Sequence, residues 1–116
     1  LDVAVGTGLV AAEAVRVLGK PRAVTGLDLS EGMLAEARRR LPGGVRLVQA
    51  RAEALPVADA SVDFLSMGYA LRHVSDLGVA FAEYRRVLRP GGRVLLLEIG
   101  RPEGRAARVL LKAYLG

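Results

Sequence analysis

Apolar and polar positions along the chain fall into blocks whose period switches between the two of a strand and the 3.6 of a helix. Leu1–Val5, apolar but for Asp2, predicts a short strand, and Gly6-Thr7-Gly8 after it predicts a tight turn. Leu9–Leu18 carries Ala, Val and Leu toward a core at helical spacing and stops at Gly19 and Pro21. Ala23–Leu27 predicts a second strand, closed by Asp28; Ser30 then suits the N-cap of a helix Glu31–Leu41, which Pro42-Gly43-Gly44 ends. Val45–Gln49 and Val62–Met67 predict strands three and four, with Pro56 in the loop between them. Leu77–Leu88 predicts a helix with Val79, Ala80, Ala82, Val87 and Leu88 among its apolar positions. Arg89-Pro90-Gly91-Gly92 predicts a turn, Arg93–Ile99 a fifth strand, and Glu103–Leu115 a closing amphipathic helix. The chain shows no internal repeat, linker or low-complexity tract.

Strands alternating with helices predict an α/β fold, a doubly wound Rossmann-like parallel sheet with helices on both faces. The near-continuous apolar strands agree, because strands covered on both sides need no polar face. Right-handed crossovers favour the order 3-2-1-4-5 within one domain spanning residues 1–116. Such sheets bind ligands beyond the carboxyl ends of the strands, where the winding reverses, here between strands one and four. Function is therefore expected at the turn after Val5, at Asp28, and in the segments after strands three and four. The chain opens on Leu1, already inside the first strand, so a piece of a longer protein is expected.

Composition narrows the class. Hydrophobic residues at 52% and charged residues at 25% describe a globular protein, not a disordered one. The longest aliphatic run, Val94–Leu97, falls far short of the ~20 residues of a membrane span. The absence of cysteine excludes disulfides, thiolate metal sites and cysteine nucleophiles, and fits a reducing, cytoplasmic compartment. One histidine and scattered carboxylates show no metal-ligand spacing. The net charge of +5 comes from 15 arginines and two lysines, grouped near expected helix ends, where the macrodipole favours cations. With aromatics at 4% there is no stacking platform, and no nucleic-acid partner is expected.

The candidate chemistry starts at Gly6-Thr7-Gly8-Leu9-Val10-Ala11, which satisfies G-x-G-x-x-A, with Asp28 lying 20 residues after Gly8. Glycines let a backbone approach a nucleotide, and the acid accepts hydrogen bonds from ribose hydroxyls. This pattern points to a nucleoside-bearing cofactor without choosing between NAD and S-adenosylmethionine. Asp2 bears on the choice: an acid in an apolar strand is costly to bury without a partner. It would hold the glycine turn or reach a cationic group, of which S-adenosylmethionine carries two, a sulfonium and an ammonium.

The residues at this point resemble a family. Leu1-Asp2-Val3-Ala4-Val5-Gly6-Thr7-Gly8 resembles the first motif of class I S-adenosylmethionine-dependent methyltransferases, and Asp28-Leu29-Ser30-Glu31-Gly32-Met33-Leu34 the second. Gln49–Pro56, Tyr69–Val74 and Arg86–Arg93 continue the likeness in order. The combination is most similar to the ubiquinone/menaquinone biosynthesis C-methyltransferases, which methylate a ring carbon of a polyprenylated quinol. Ala4, where most relatives carry glycine, fits that subgroup, as does Leu97-Glu98 followed by Pro102. The resemblance implies cofactor contacts at Thr7 and the Gly6 and Gly8 backbone, Asp28 on the ribose, Arg51-Ala52 beside the adenine, and Gly68 at the end of strand four. It also implies a sheet that continues through two further strands, which this chain would lack, and a leading segment over the cofactor. Three positions depart from the quinone pattern: Arg51 and His73 stand for asparagines and Gly68 for a serine.

Carbon methylation of a quinol requires a phenol of pKa ~10 to lose or share its proton. Arg72 suits the developing oxyanion through its fork of donors, and His73 suits the proton near neutral pH. The expected function is S-adenosylmethionine-dependent methylation of a small aromatic or quinol substrate, with peripheral membrane contact where that substrate is a lipid. Two alternatives stand beside it: an NAD-dependent oxidoreductase domain, and a non-catalytic fragment serving as a binding or interaction module. In the latter, the edge of strand five would pair with another chain.

Overall fold

A computed structural model describes residues 1–68, 74–99 and 108–115. Strand β1 (Asp2–Val3) leads through the glycine turn into helix α1 (Leu9–Leu18), which Gly19 ends in a left-handed cap. A short 3-10 turn, Pro21–Ala23, precedes β2 (Thr25–Asp28). Helix α2 (Glu31–Arg40) starts where the Ser30 hydroxyl accepts from the Met33 N–H at 3.2 Å, a capping bond. Strands β3 (Arg46–Gln49) and β4 (Val62–Gly68) follow. The Asp76 carboxylate then caps α3 (Leu77–Val87) by accepting from Val79 N–H at 3.1 Å. Strands β5 (Leu88–Ile99) and β6 (Arg108–Leu115) complete the described chain.

The strands form one sheet in the order β3-β2-β1-β4-β5-β6, parallel from β3 through β5. The expected order 3-2-1-4-5 is thus the observed one. Two expectations about the last third of the chain are corrected. Arg89–Gly92 lies inside β5 as an irregularity: Val62 faces Leu88, but the next pair is Phe64 with Arg93. The chain bulges between them at Gly91, whose φ is +81°. Of the closing segment expected as a helix, residues 103–107 lie outside the described residues, and Arg108–Leu115 forms β6, antiparallel to β5 with Leu97 opposite Leu110. The edge of β5, expected in the fragment reading to pair with another chain, is paired with β6 within this chain.

Buried side chains pack in two clusters. Val3, Leu27, Leu65, Met67, Val94 and Leu96 pack with Ala80, Tyr84 and Val87 of α3 in one cluster. Val5 and Val24 pack with Ala11 of α1 and with Leu34, Ala37 and Leu41 of the α2 segment in the other. In α1 only Ala11 is buried, while Leu9, Val17 and Leu18 are exposed, so its apolar side covers less core than its sequence implies. Arginines occupy the last turns of α1, α2 and α3, as the macrodipole favours. Among the described residues no helix is long and apolar enough to cross a membrane.

Gly26 shows how closely the second cluster is packed. A Cβ at this position would lie 2.8 Å from Val5 Cγ2 and 3.0 Å from Leu47 Cδ2. Overpacking outweighs the lower chain entropy that alanine confers, so Gly26→Ala should cost roughly 1–2 kcal/mol. Urea denaturation checks this; an unchanged midpoint would show that Val5 and Leu47 yield freely.

Candidate functional site

The site forms where β1 stops and the sheet reverses its winding. Ala4, Gly6 and Gly8 all have positive φ, at 57°, 57° and 94°. For Ala4, which carries a side chain, the left-handed region costs about 1–2 kcal/mol and is kept by its surroundings. The two glycines serve different ends. Gly6 faces open space, with nothing within 4 Å of a would-be Cβ. Gly8 caps α1, and a Cβ there would press on Leu41 at 3.2 Å, so its role is to let α1 start against the end of α2.

Asp28 ends β2 and ties the turn together. Its Oδ2 accepts from Gly6 N–H at 2.8 Å and its Oδ1 from Ser30 N–H at 2.9 Å. An ionised carboxylate offers about four acceptor sites, so two remain for a ligand. The Thr7 carbonyl accepts from Arg40 Nε at 3.0 Å, which locks the turn to the end of α2. Arg40 therefore does more than solvate a helix end.

Asp28 lies on the wall of a cavity of about 420 Å³, with Gly6, Leu29, Met33, Ala52 and Gly68 among its neighbours on that wall. Of the residues expected to hold a cofactor, Gly6, Asp28, Ala52 and Gly68 are brought together here. Thr7 and Gly8 shape the turn from behind, and Arg51 is exposed, its Nε 3.9 Å from Glu53 Oε1. Arg72 and His73, the expected catalytic pair, and Tyr69 lie outside the described residues.

Asp2 is buried, beside the start of α1 and not on the cavity wall. Its Oδ1 accepts from Ser66 Oγ at 2.9 Å across the β1–β4 pair, while Oδ2 has no hydrogen bond of good geometry. Burial raises its pKa to about 6, against the weaker pull of the Ser66 hydroxyl and the nearby Ala11 N–H.

Several functional features escape a reading of the sequence. Leu29 and Met33 are 59% and 44% exposed yet line the cavity, so they present apolar surface to a ligand. Their signal is their position, directly after and five residues after Asp28. The loop from Leu55 to Asp59 is strapped to α3 by Arg86, whose guanidinium donates to the Leu55 and Val57 carbonyls and to Asp59. Glu83 completes the strap by accepting from Leu55 N–H at 2.8 Å and from Arg86. Beneath the cavity, the buried Tyr84 hydroxyl reaches Met67 Sδ at 3.6 Å, and burial holds its proton on well above the usual phenol range.

Residues 1–96 match the protein family described as a methyltransferase domain. The chain belongs to this family. It is 39% identical to the ubiquinone/menaquinone biosynthesis C-methyltransferase UbiE of Shewanella halifaxensis, over 98% of this chain and 47% of that protein. Against the UbiE of Escherichia coli the identity is 41%, over 98% of this chain and 46% of the relative. The chain thus spans about half the length of the curated relatives it matches. Among solved structures, the S-adenosylmethionine dependent methyltransferase of Mesorhizobium loti superposes with a TM-score of 0.76 at 29% identity, over 95% of this chain and 54% of that one. Neither the nicotinamide-dehydrogenase reading nor the non-catalytic reading finds support among these relatives.

Proposed function

We propose that this domain binds S-adenosylmethionine and serves methyl transfer to a ring carbon of a quinol or small aromatic acceptor. The observation that carries the reading is Asp28: a carboxylate at the end of β2, tied to Gly6 and standing on the wall of the cavity at the reversal of the sheet. The family match and the likeness to the UbiE proteins support the same chemistry.

The residues present fit such a cofactor. Asp28 has acceptor capacity left for ribose hydroxyls, Gly6 leaves room for close approach, and Leu29 and Met33 supply apolar walls for a nucleobase. The Ala52 backbone, also on the cavity wall, would meet the adenine edge, a task for which the Arg51 side chain, with donors only, is unsuited. Thr7 and Gly8 set the turn, and Asp2 sits buried behind it. When bound, the cofactor supplies an electrophilic methyl group on a sulfonium. The chain's part is to hold it and the acceptor in line and to keep water out, which is where positioning lowers the barrier. We assign the acceptor side to Arg72, stabilising a developing oxyanion, and to His73, taking its proton. A polyprenylated acceptor would bring the domain to a membrane surface.

Thermal unfolding with S-adenosylmethionine, S-adenosylhomocysteine and NAD tests the reading. A ligand at 100 times its Kd adds about 2.7 kcal/mol of stability. The first two should raise Tm and NAD should not. A rise with NAD alone would overturn the assignment.

A further inference from the structure

Glu53 stands in the loop between β3 and β4, on the cavity wall that also includes Ala50, Ala52 and Val74. Its carboxylate spans two parts of that wall. Oε2 accepts from Ser75 N–H at 3.0 Å and from Asp76 N–H at 3.3 Å, at the entry to α3, while its own backbone belongs to the β3 side. The side chain is only 15% exposed although it is charged. Its own backbone N–H, followed by those of Asp76 and Ser75, holds the carboxyl below the ordinary glutamate range. The loop does not depend on Glu53 for its anchorage, because Arg86 and Glu83 already bind Leu55 and Val57 to α3. What Glu53 adds is a link between the wall at Ala52 and the wall at Val74.

We propose that Glu53 is a positioning residue that clasps the entry of α3 to the loop after β3 and so fixes the width of the nucleoside cavity. The inference rests on the cofactor reading above. A preformed cavity spares a ligand the cost of ordering its walls, so loosening the clasp weakens binding without removing a ligand contact. Glutamine keeps one carbonyl oxygen able to accept an amide proton; alanine keeps none.

Calorimetric titration of the 116-residue chain with S-adenosylhomocysteine, on wild type, Glu53→Ala and Glu53→Gln, tests the proposal. Glu53→Ala should weaken binding roughly ten-fold, and Glu53→Gln should recover part of the loss. Amide exchange supplies the readout that a role in fold stability alone would not move. S-adenosylhomocysteine should slow exchange at Ser75 and Asp76 in the wild type and fail to do so in Glu53→Ala, while Leu55, held by Glu83, exchanges alike in both. If Glu53→Ala fails to fold, the Glu53→Gln comparison carries the test. Wild-type affinity in the folded variants would overturn the clasp. A wild type that binds no S-adenosylhomocysteine would bring down the cofactor reading itself, and the clasp with it.

Discussion

Asp28→Ala is expected to lower affinity for S-adenosylhomocysteine by at least about 100-fold, since hydrogen bonds to a charged group each contribute ~1.5–3 kcal/mol. Two effects combine. The ribose loses its acceptor, and the glycine turn loses the bonds that Gly6 N–H and Ser30 N–H make to the carboxylate at 2.8 and 2.9 Å. Asp28→Asn separates them. Its single carbonyl oxygen can serve one amide but not both amides and the ribose, so an intermediate loss is expected. Titration calorimetry on the three proteins checks the order. Equal affinity in Asp28→Ala would remove the carboxylate from the site.

Asp2→Asn is expected to alter how stability depends on pH. The folded-state pKa of Asp2 is raised to about 6 from the ordinary 3.8, because burial disfavours the charge. An acid raised in this way binds its proton more tightly in the folded state. Its contribution is therefore most favourable below pH ~4 and is lost as pH rises toward ~6, a span of roughly 3 kcal/mol at 1.36 kcal/mol per pKa unit. Asparagine can still accept from Ser66 Oγ, but it carries no charge to desolvate and it introduces an amide donor in place of Oδ2. That donor costs about 1 kcal/mol, so Asp2→Asn should be slightly less stable at pH 4 and about 2 kcal/mol more stable at pH 7. Urea denaturation at pH 4, 5, 6 and 7 gives both curves. Parallel curves would show that Asp2 titrates alike in the folded and unfolded chain.

The central sheet is legible in the sequence because each of its elements carries its own punctuation. Gly19 ends α1, Ser30 opens α2, and the apolar runs at β2, β4 and β5 leave a parallel sheet as the arrangement that covers both faces. Asp28 is legible for the same reason: the glycine pair and the acid keep the spacing that a βαβ unit requires. The closing segment is not. Arg108–Leu115 is rich in Leu, Ala, Arg and Lys, all good helix formers, and its strand conformation comes from pairing with β5, a distant contact that no local period encodes. Glu53 is half legible: it sits in the Gln49–Pro56 stretch that carries the family likeness, but its partners Ser75 and Asp76 follow only from the fold. Asp2 is half legible: its position in an apolar strand signals a cost, but Ser66 as its partner follows from the register of β1 with β4.

The most direct test is a crystal structure of the 116-residue chain grown with S-adenosylhomocysteine. The ribose hydroxyls should lie within hydrogen-bond distance of the Asp28 carboxylate, with the adenine between Leu29 or Met33 and the Ala52 backbone. Ligand bound elsewhere on the domain, with Asp28 facing only its own Gly6 and Ser30 amides, would contradict the account.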